Sequence, residues 1–317
     1  MAAFCGEEIG FARSRQERQG KSKKIKFFRS QILVLLCALG DFARNPLKFM
    51  WNRKHIEFVW FDEIEWRPLE IAGLPSGLEL RLLSIDEADG ALSGILKIPA
   101  GWQFDKDFIF EAPEQLFVLS GDLNIAGERL TEQFYSWRPA GALHGQMSSD
   151  TGCEAIVMWD KKIAVNIGER GTSDGVKTVD TRRMFWEKTV AEGPAAGIKV
   201  KRLREVEETG EMTFIVGIMP NWFEDREEHH PCVEESFKIF GDMSLNTRLG
   251  DQMLMGENSY FYRPPFIKHG PLATRKGTMS LIRTNSTLIN RYEPLDEDSE
   301  YPVWLKNGRK FLAEPRQ

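Results

Sequence analysis

EQLFVLSGDLNI, residues 114–125, and EESFKIFGDMSL, residues 234–245, are one stretch of chain written twice. Phe117, Gly121 and Asp122 of the first copy recur as Phe237, Gly241 and Asp242 of the second, 120 residues on. Each copy is a run of apolar and β-branched residues ended by a turn-forming Gly-Asp pair, which reads as a strand and its turn. The match extends in both directions. Upstream, LELRLLSIDEADGALSGILKIP (78–99) lies over KVKRLREVEETGEMTFIVGIMP (199–220) at an offset of 121, pairing Arg81 with Arg202 and Pro99 with Pro220. Downstream, FYSWRPAGALHG (134–145) lies over SYFYRPPFIKHG (259–270), and Arg138, Pro139, His144 and Gly145 recur as Arg263, Pro264, His269 and Gly270. Three blocks in the same order mean that one module occurs twice.

Each module reads as all-β. Gly94–Ile98, Leu116–Leu119, Cys153–Trp159 and Met279–Thr284 are short apolar runs bounded by Gly and Pro, as a sandwich or closed barrel requires. No G-x-G-x-x-G or P-loop pattern occurs, so nucleotide chemistry has no foothold. The boundaries expected are an N-terminal extension over 1–55, a first domain over 56–165 and a second over 166–317, with residues 160–197 connecting the modules. Residues 1–55 hold twelve Lys/Arg against four Asp/Glu, although the whole chain has a net charge of -5. A basic extension on an acidic body follows, and the body offers no broad basic face for nucleic acid. Phe28, Ile32, Leu35, Leu36, Leu39 and Phe42 recur at helical spacing, predicting an amphipathic helix. That helix suits packing on the protein or a partner, or lying on a membrane surface. The apolar run from Ile32 to Leu39 is too short to span a bilayer, and it reaches only the lower limit of a secretory signal.

The four cysteines are widely spaced and form no C-x-x-C pair, which suits a reducing cytoplasm rather than a disulfide scaffold. Only five histidines are present: His55, His144, His229, His230 and His269.

These motifs resemble those of the cupins, G-x5-H-x-H-x3-4-E-x6-G followed by G-x5-P-x-G-x2-H. In the first module Gly101, Glu114 and Gly121 keep the spacing of the first motif, and Pro139–His144 fits the second. The paired histidines are replaced there by Asp107 and Ile109, or by Phe108 and Phe110 under the shorter spacing. In the second module Glu234 and Gly241 keep the spacing, preceded by Glu227-Glu228-His229-His230, and Pro264–His269 departs from the pattern only where Phe266 replaces glycine. The resemblance covers about residues 70–160 and 198–290, and Gly152-Cys153 is similar to the cupin domains of ChrR anti-sigma factors. It implies two jelly-roll (double-stranded β-helix) barrels in tandem, a bicupin, each with its motif residues turned inward. It implies one divalent metal in the second barrel, Fe(II) foremost with Mn, Ni, Cu or Zn as alternatives, since imidazoles and one carboxylate suit these ions. Glu234, His269 and one of His229 and His230 would hold it. Both adjacent histidines can do so only if the backbone leaves strand geometry, because neighbouring side chains on a strand face opposite ways.

Plainer roles stand beside these. His144 without histidine partners reads as a structural residue, with Glu114 hydrogen-bonding His144 or Arg138. Arg138 and Arg263 read as a shared structural pairing, and Phe108, Phe110, Trp137, Phe237 and Phe266 as core. Glu235 faces away from Glu234, as a surface carboxylate or a support for the ligands. His55 is expected to be exposed, Asn285-Ser286-Thr287 is a chance glycosylation match, and Phe266 narrows the barrel mouth beside His269. The functional expectation is a metal-dependent oxidoreductase of dioxygenase type acting on a small oxygenated organic molecule. The alternative is a non-catalytic bicupin that binds metal or a small ligand in a sensing or structural role. A cytoplasmic homodimer is expected, with peripheral membrane contact through the N-terminal helix as the alternative to its packing on the protein or a partner.

Overall fold

The computed structural model describes residues 51–168, 170–189, 197–224, 226–246 and 252–294. The N-terminal helix and residues 295–317 lie outside them. Strands and single turns of 3-10 helix make up the described chain, so the all-β expectation holds there. No helix among the described residues is long and apolar enough to cross a membrane.

Twelve strands carry the architecture. In the first half they are β1 (Ile56–Trp60), β2 (Glu79–Ile85), β3 (Leu92–Ile98), β4 (Glu114–Ile125), β5 (Phe134–Arg138) and β6 (Cys153–Trp159). In the second they are β7 (Lys177–Asp180), β8 (Ile198–Val206), β9 (Glu211–Ile218), β10 (Glu234–Asn246), β11 (Ser259–Arg263) and β12 (Thr278–Thr284). Two antiparallel sheets result. One runs β7-β5-β4-β6-β3-β2 and the other β1-β11-β10-β12-β9-β8, so the two orders correspond strand for strand. The leading strands are exchanged. β1 pairs with β11 of the second half, and β7 pairs with β5 of the first. Sheet membership therefore crosses the sequence boundary at 165/166.

The repeat is also longer than the sequence blocks, and one block is in a different register. Phe61–Glu63 and Thr181–Arg183 form matching 3-10 turns. Trp66 takes the Arg81 guanidinium on its ring and Trp186 takes the Lys201 ammonium, 120 residues apart in both members. Arg81 lies opposite Ile95 and Lys201 opposite Ile215, which sets β2 over β8 at 120 rather than the expected 121. A one-residue slip matters because it exchanges the two faces of a strand. The identity of Arg81 with Arg202 was coincidental; the burial of Leu83 and Leu203 in one shared core is the physical match.

Both faces of the central strands are covered, which is why they read as nearly continuous apolar runs. Along β6, Cys153, Ala155, Val157 and Trp159 fill the inside of the first half. Ile156 and Met158 point the other way, into a core shared with Leu203, Ile215, Phe237, Tyr260 and Leu281 of the second half. The Gly-Asp pairs mark where β4 and β10 bend. Gly121 and Gly241 have φ of 78° and 81°, and a Cβ would meet a carbonyl oxygen at 1.8 and 1.9 Å. Only glycine fits there. The following aspartates tie down the facing loops, Asp122 through the backbone of Thr151 and Asp242 through Thr274 and Lys276.

Three expectations change. Glu235 does face away from Glu234, but it is fully buried between the halves, bound by Arg53 at 3.1 Å and Tyr260 at 2.7 Å. Arg53, inside the stretch read as an extension, is itself only 5% exposed and also donates to Ser84 and Ser93. Phe266 holds a positive φ of 68° where the first half has Gly141, and its ring is 58% exposed over His229 instead of lining the cavity mouth. His55 is exposed, beside Glu57.

Candidate metal centre and cavity

The two halves differ most in their interiors. In the first, the positions expected for the paired histidines hold Phe108 and Phe110, both buried against the His144 ring. His144 Nε2 lies 3.0 Å from Glu114, whose other oxygen accepts from Trp159 Nε1 at 3.0 Å. Every polar atom of that pair is satisfied and the space around it is filled. Arg138 pairs with Glu128 at 3.4 Å instead of closing on Glu114.

The second half is hollow. It encloses a cavity of about 120 Å³, comparable to interior cavities that take a benzene-sized molecule. At one end Glu228, His230 and His269 each offer a ligand atom, all within 4.8 Å of one another. A reciprocal pair of backbone hydrogen bonds joins Glu228 to His269, and the His230 carbonyl accepts from Phe266 N–H, so loop and strand hold the three side chains together. Glu234, first residue of β10, brings Oε2 to 3.6 Å from His230 Nε2, 3.7 Å from His269 Nε2 and 3.5 Å from Arg263.

The donor chemistry of this group suits a cation. His269 Nδ1–H donates to the Ile267 carbonyl at 3.1 Å, which leaves Nε2 facing Glu228 at 3.2 Å and Glu234 beyond. Both ring nitrogens of His230 are buried with no hydrogen-bond partner, a costly state unless something binds them. Two carboxylates and two imidazoles converge here, Glu228 meeting His269 as Glu114 meets His144, with Glu234 and His230 added beside them. Burial works to raise the Glu228 and Glu234 pKa values, but the neighbouring histidines outweigh it and hold both carboxyls ionised below the ordinary range. Burial likewise opposes charge on His230, and the Glu234 and Glu228 carboxylates overcome it, raising that pKa. These residues thus fit a divalent metal.

Of the residues singled out from sequence, His230, Glu234 and His269 are brought together. His229 is not. It lies at the end of the strand Glu227–His229 and turns toward Glu293 at 3.8 Å. Glu228 was missed, though the spacing Glu228-x-His230-x3-Glu234 is the cupin motif with glutamate at the first histidine position. The adjacent histidines masked it. Lys238 was missed as well. It lines the cavity on the same strand face as Glu234, is 3% exposed, and donates to Thr278 at 2.7 Å and Ser280 at 3.1 Å.

A family model described as a domain of unknown function (DUF4437) matches residues 57–291. No curated protein matches the chain. Among solved structures, a candidate dioxygenase from Nostoc punctiforme superposes with a TM-score of 0.70 at 17% identity, covering 79% of this chain and 94% of that one. An oxalate decarboxylase mutant from Bacillus subtilis gives 0.50 at 13% identity, covering 76% of this chain and 80% of that one. At these identities the likeness is one of fold alone.

Proposed function

The chain belongs to the DUF4437 family, and from the geometry of its cavity we propose that it is a bicupin, two jelly-roll barrels in tandem. We read it as a metal-dependent oxidoreductase of dioxygenase type for a small oxygenated organic substrate. The observation that carries the reading is the convergence of Glu228, His230 and His269 at the end of a ligand-sized cavity, with neither His230 nitrogen in a hydrogen bond and only Glu234, at 3.6 Å, beside Nε2. Two imidazoles and one carboxylate would hold Fe(II), or Mn, Ni, Cu or Zn, with Glu234 beside them as a further carboxylate. Bound there, the metal supplies open positions for dioxygen and for adjacent substrate oxygens.

The chain's own residues prepare that end of the cavity. The Ile267 carbonyl fixes the His269 ring, and Asn290 donates to Glu228 at 3.0 Å, setting its carboxylate plane. Phe214, Ile282 and Leu288 form apolar walls that exclude water from the reacting end. The first barrel, filled by aromatic side chains, serves packing. Cytoplasmic location, a homodimer, membrane contact through the N-terminal helix and the ChrR-type subgroup are further parts of the proposal that rest on sequence alone.

Elemental analysis of full-length protein prepared without chelator or added metal tests the site. About one divalent metal per chain is expected, lost in His230→Ala, His269→Ala and Glu228→Ala but kept in His229→Ala. No metal in the parent, even after anaerobic Fe(II) loading, overturns the reading. Dioxygen uptake by loaded protein with catechols and β-diketones then separates an oxygenase from a binding protein.

A further inference from the structure

The two halves provide an internal control for what the barrel itself requires. At corresponding positions inside the first half stand Leu116, Val118, Cys153 and Ala155, all in its apolar core. The second half has Ser236, Lys238, Thr278 and Ser280 there, all lining the cavity. The correspondence is fixed by pairing, since Val118 lies opposite Ala155 as Lys238 lies opposite Ser280. An apolar set therefore builds this barrel floor without difficulty, and four polar residues together have another purpose.

Lys238 is the centre of the set. Its ammonium is buried at 3% exposure, and its hydrogen-bond partners are two neutral hydroxyls; no carboxylate among the described residues is in ion-pair range, Asp242 and Glu234 acting only from farther off. Burying a cation without a counter-ion is expensive. Two of its three donors are used, and the third has the cavity before it. Burial pushes the Lys238 pKa down to about 7, as expected of a group waiting for a negative partner. Glu234, Ser236 and Lys238 alternate along one face of β10, so the floor lies about 13 Å of strand from the metal-ligating end. The walls between are apolar, including Val216, Met243 and Phe261.

We propose that Lys238, with Thr278 and Ser280, anchors the carboxylate of a small organic acid whose other end, with its oxygen substituents, meets the Glu228–His230–His269 group. The inference rests on the reading that the cavity binds a small molecule, and it narrows that molecule to a monoanionic carboxylate with an apolar body. Lys238 acts here as a binding and positioning residue, not as a group in the chemistry.

The test uses isothermal titration of full-length protein with benzoate, phenylacetate and hexanoate, each beside its primary amide. At least one carboxylate is expected to bind tenfold or more tightly than its amide. Lys238→Met should abolish that preference, Lys238→Arg should retain most of it, and Thr278→Val should weaken it severalfold. Val118 in the first half shows that an apolar residue at this position suits the barrel, and circular dichroism checks that Lys238→Met is folded. Equal affinity for every acid and its amide, or a preference that survives in folded Lys238→Met, overturns the proposal. The same titrations on His269→Ala keep the two readings apart. His269→Ala is expected to lose its metal and keep the carboxylate preference; no metal in the parent protein strikes only at the metal chemistry, and bound metal there without the preference strikes only at Lys238.

Discussion

One step along the chain separates His230 from His229, and it turns one imidazole into the cavity and the other toward Glu293. The sequence shows two adjacent histidines and cannot rank them, because the backbone that orients them is set by pairing with residues 269 and 291. Glu234 and His269 were legible because their spacing is that of a motif. Glu228 was written in the same spacing under another residue type. Lys238 carried no signal at all, since one lysine in a strand reads as a solvated charge until its neighbours are known. It now makes a stability prediction. Between its folded pKa of about 7 and the ordinary 10.5, the unfolded chain holds a proton there that the folded chain has shed. Ligand-free protein should therefore gain stability as pH rises through that window, and bear the full cost of the buried charge below it. Lys238→Met is expected to stabilise the ligand-free protein by about 1–4 kcal/mol at pH 7 and to flatten the rise toward pH 10, as read by urea unfolding across that range.

At the level of strands and turns, the sequence reading succeeded where chemistry constrains residue type. The Gly-Asp pairs were visible because no other residue fits Gly121 or Gly241, and β6 and β12 were visible as apolar runs. Gly241→Ala should cost at least about 2 kcal/mol, combining backbone strain with displacement of the facing Gly277 carbonyl. Thermal unfolding measures it. Phe266→Gly is the reverse case. Removing a half-exposed ring and the positive-φ penalty should raise stability by about 1 kcal/mol, with metal content unchanged. The reading failed at β1 and β7. IEFVW and KTVD share almost no identity, because edge strands need only extended backbone and a few buried contacts. Which edge each strand joins depends on partners about 200 residues away for β1 and about 40 residues away for β7, information that local patterning does not contain.

Across the whole molecule, the halves are joined by a common core and by buried charge. Arg53 and Glu235 meet deep in that core, where the other half uses neutral Gln115 to accept from Tyr135 and Thr213. The asymmetry follows from the chain: a segment ahead of β1 delivers a guanidinium to one side only. Glu235→Gln preserves shape and removes charge, leaving Arg53 buried without its counter-ion. A loss of about 3–5 kcal/mol is expected in chemical denaturation. Such a pairing could not be foreseen from residues 182 positions apart.

The exchanged strands also have a consequence for synthesis, since a chain leaves the ribosome from its N-terminus. The first half can complete its sheet once Asp180 has emerged, soon after its own last strand. Strand β1 must wait for β11, made about 200 residues later, and until then Ile56, Phe58 and Trp60 form an unclaimed edge. A nascent chain halted before Arg263 should therefore hold a finished first sheet and an adhesive leading strand, which makes β1 the natural place for a chaperone to act.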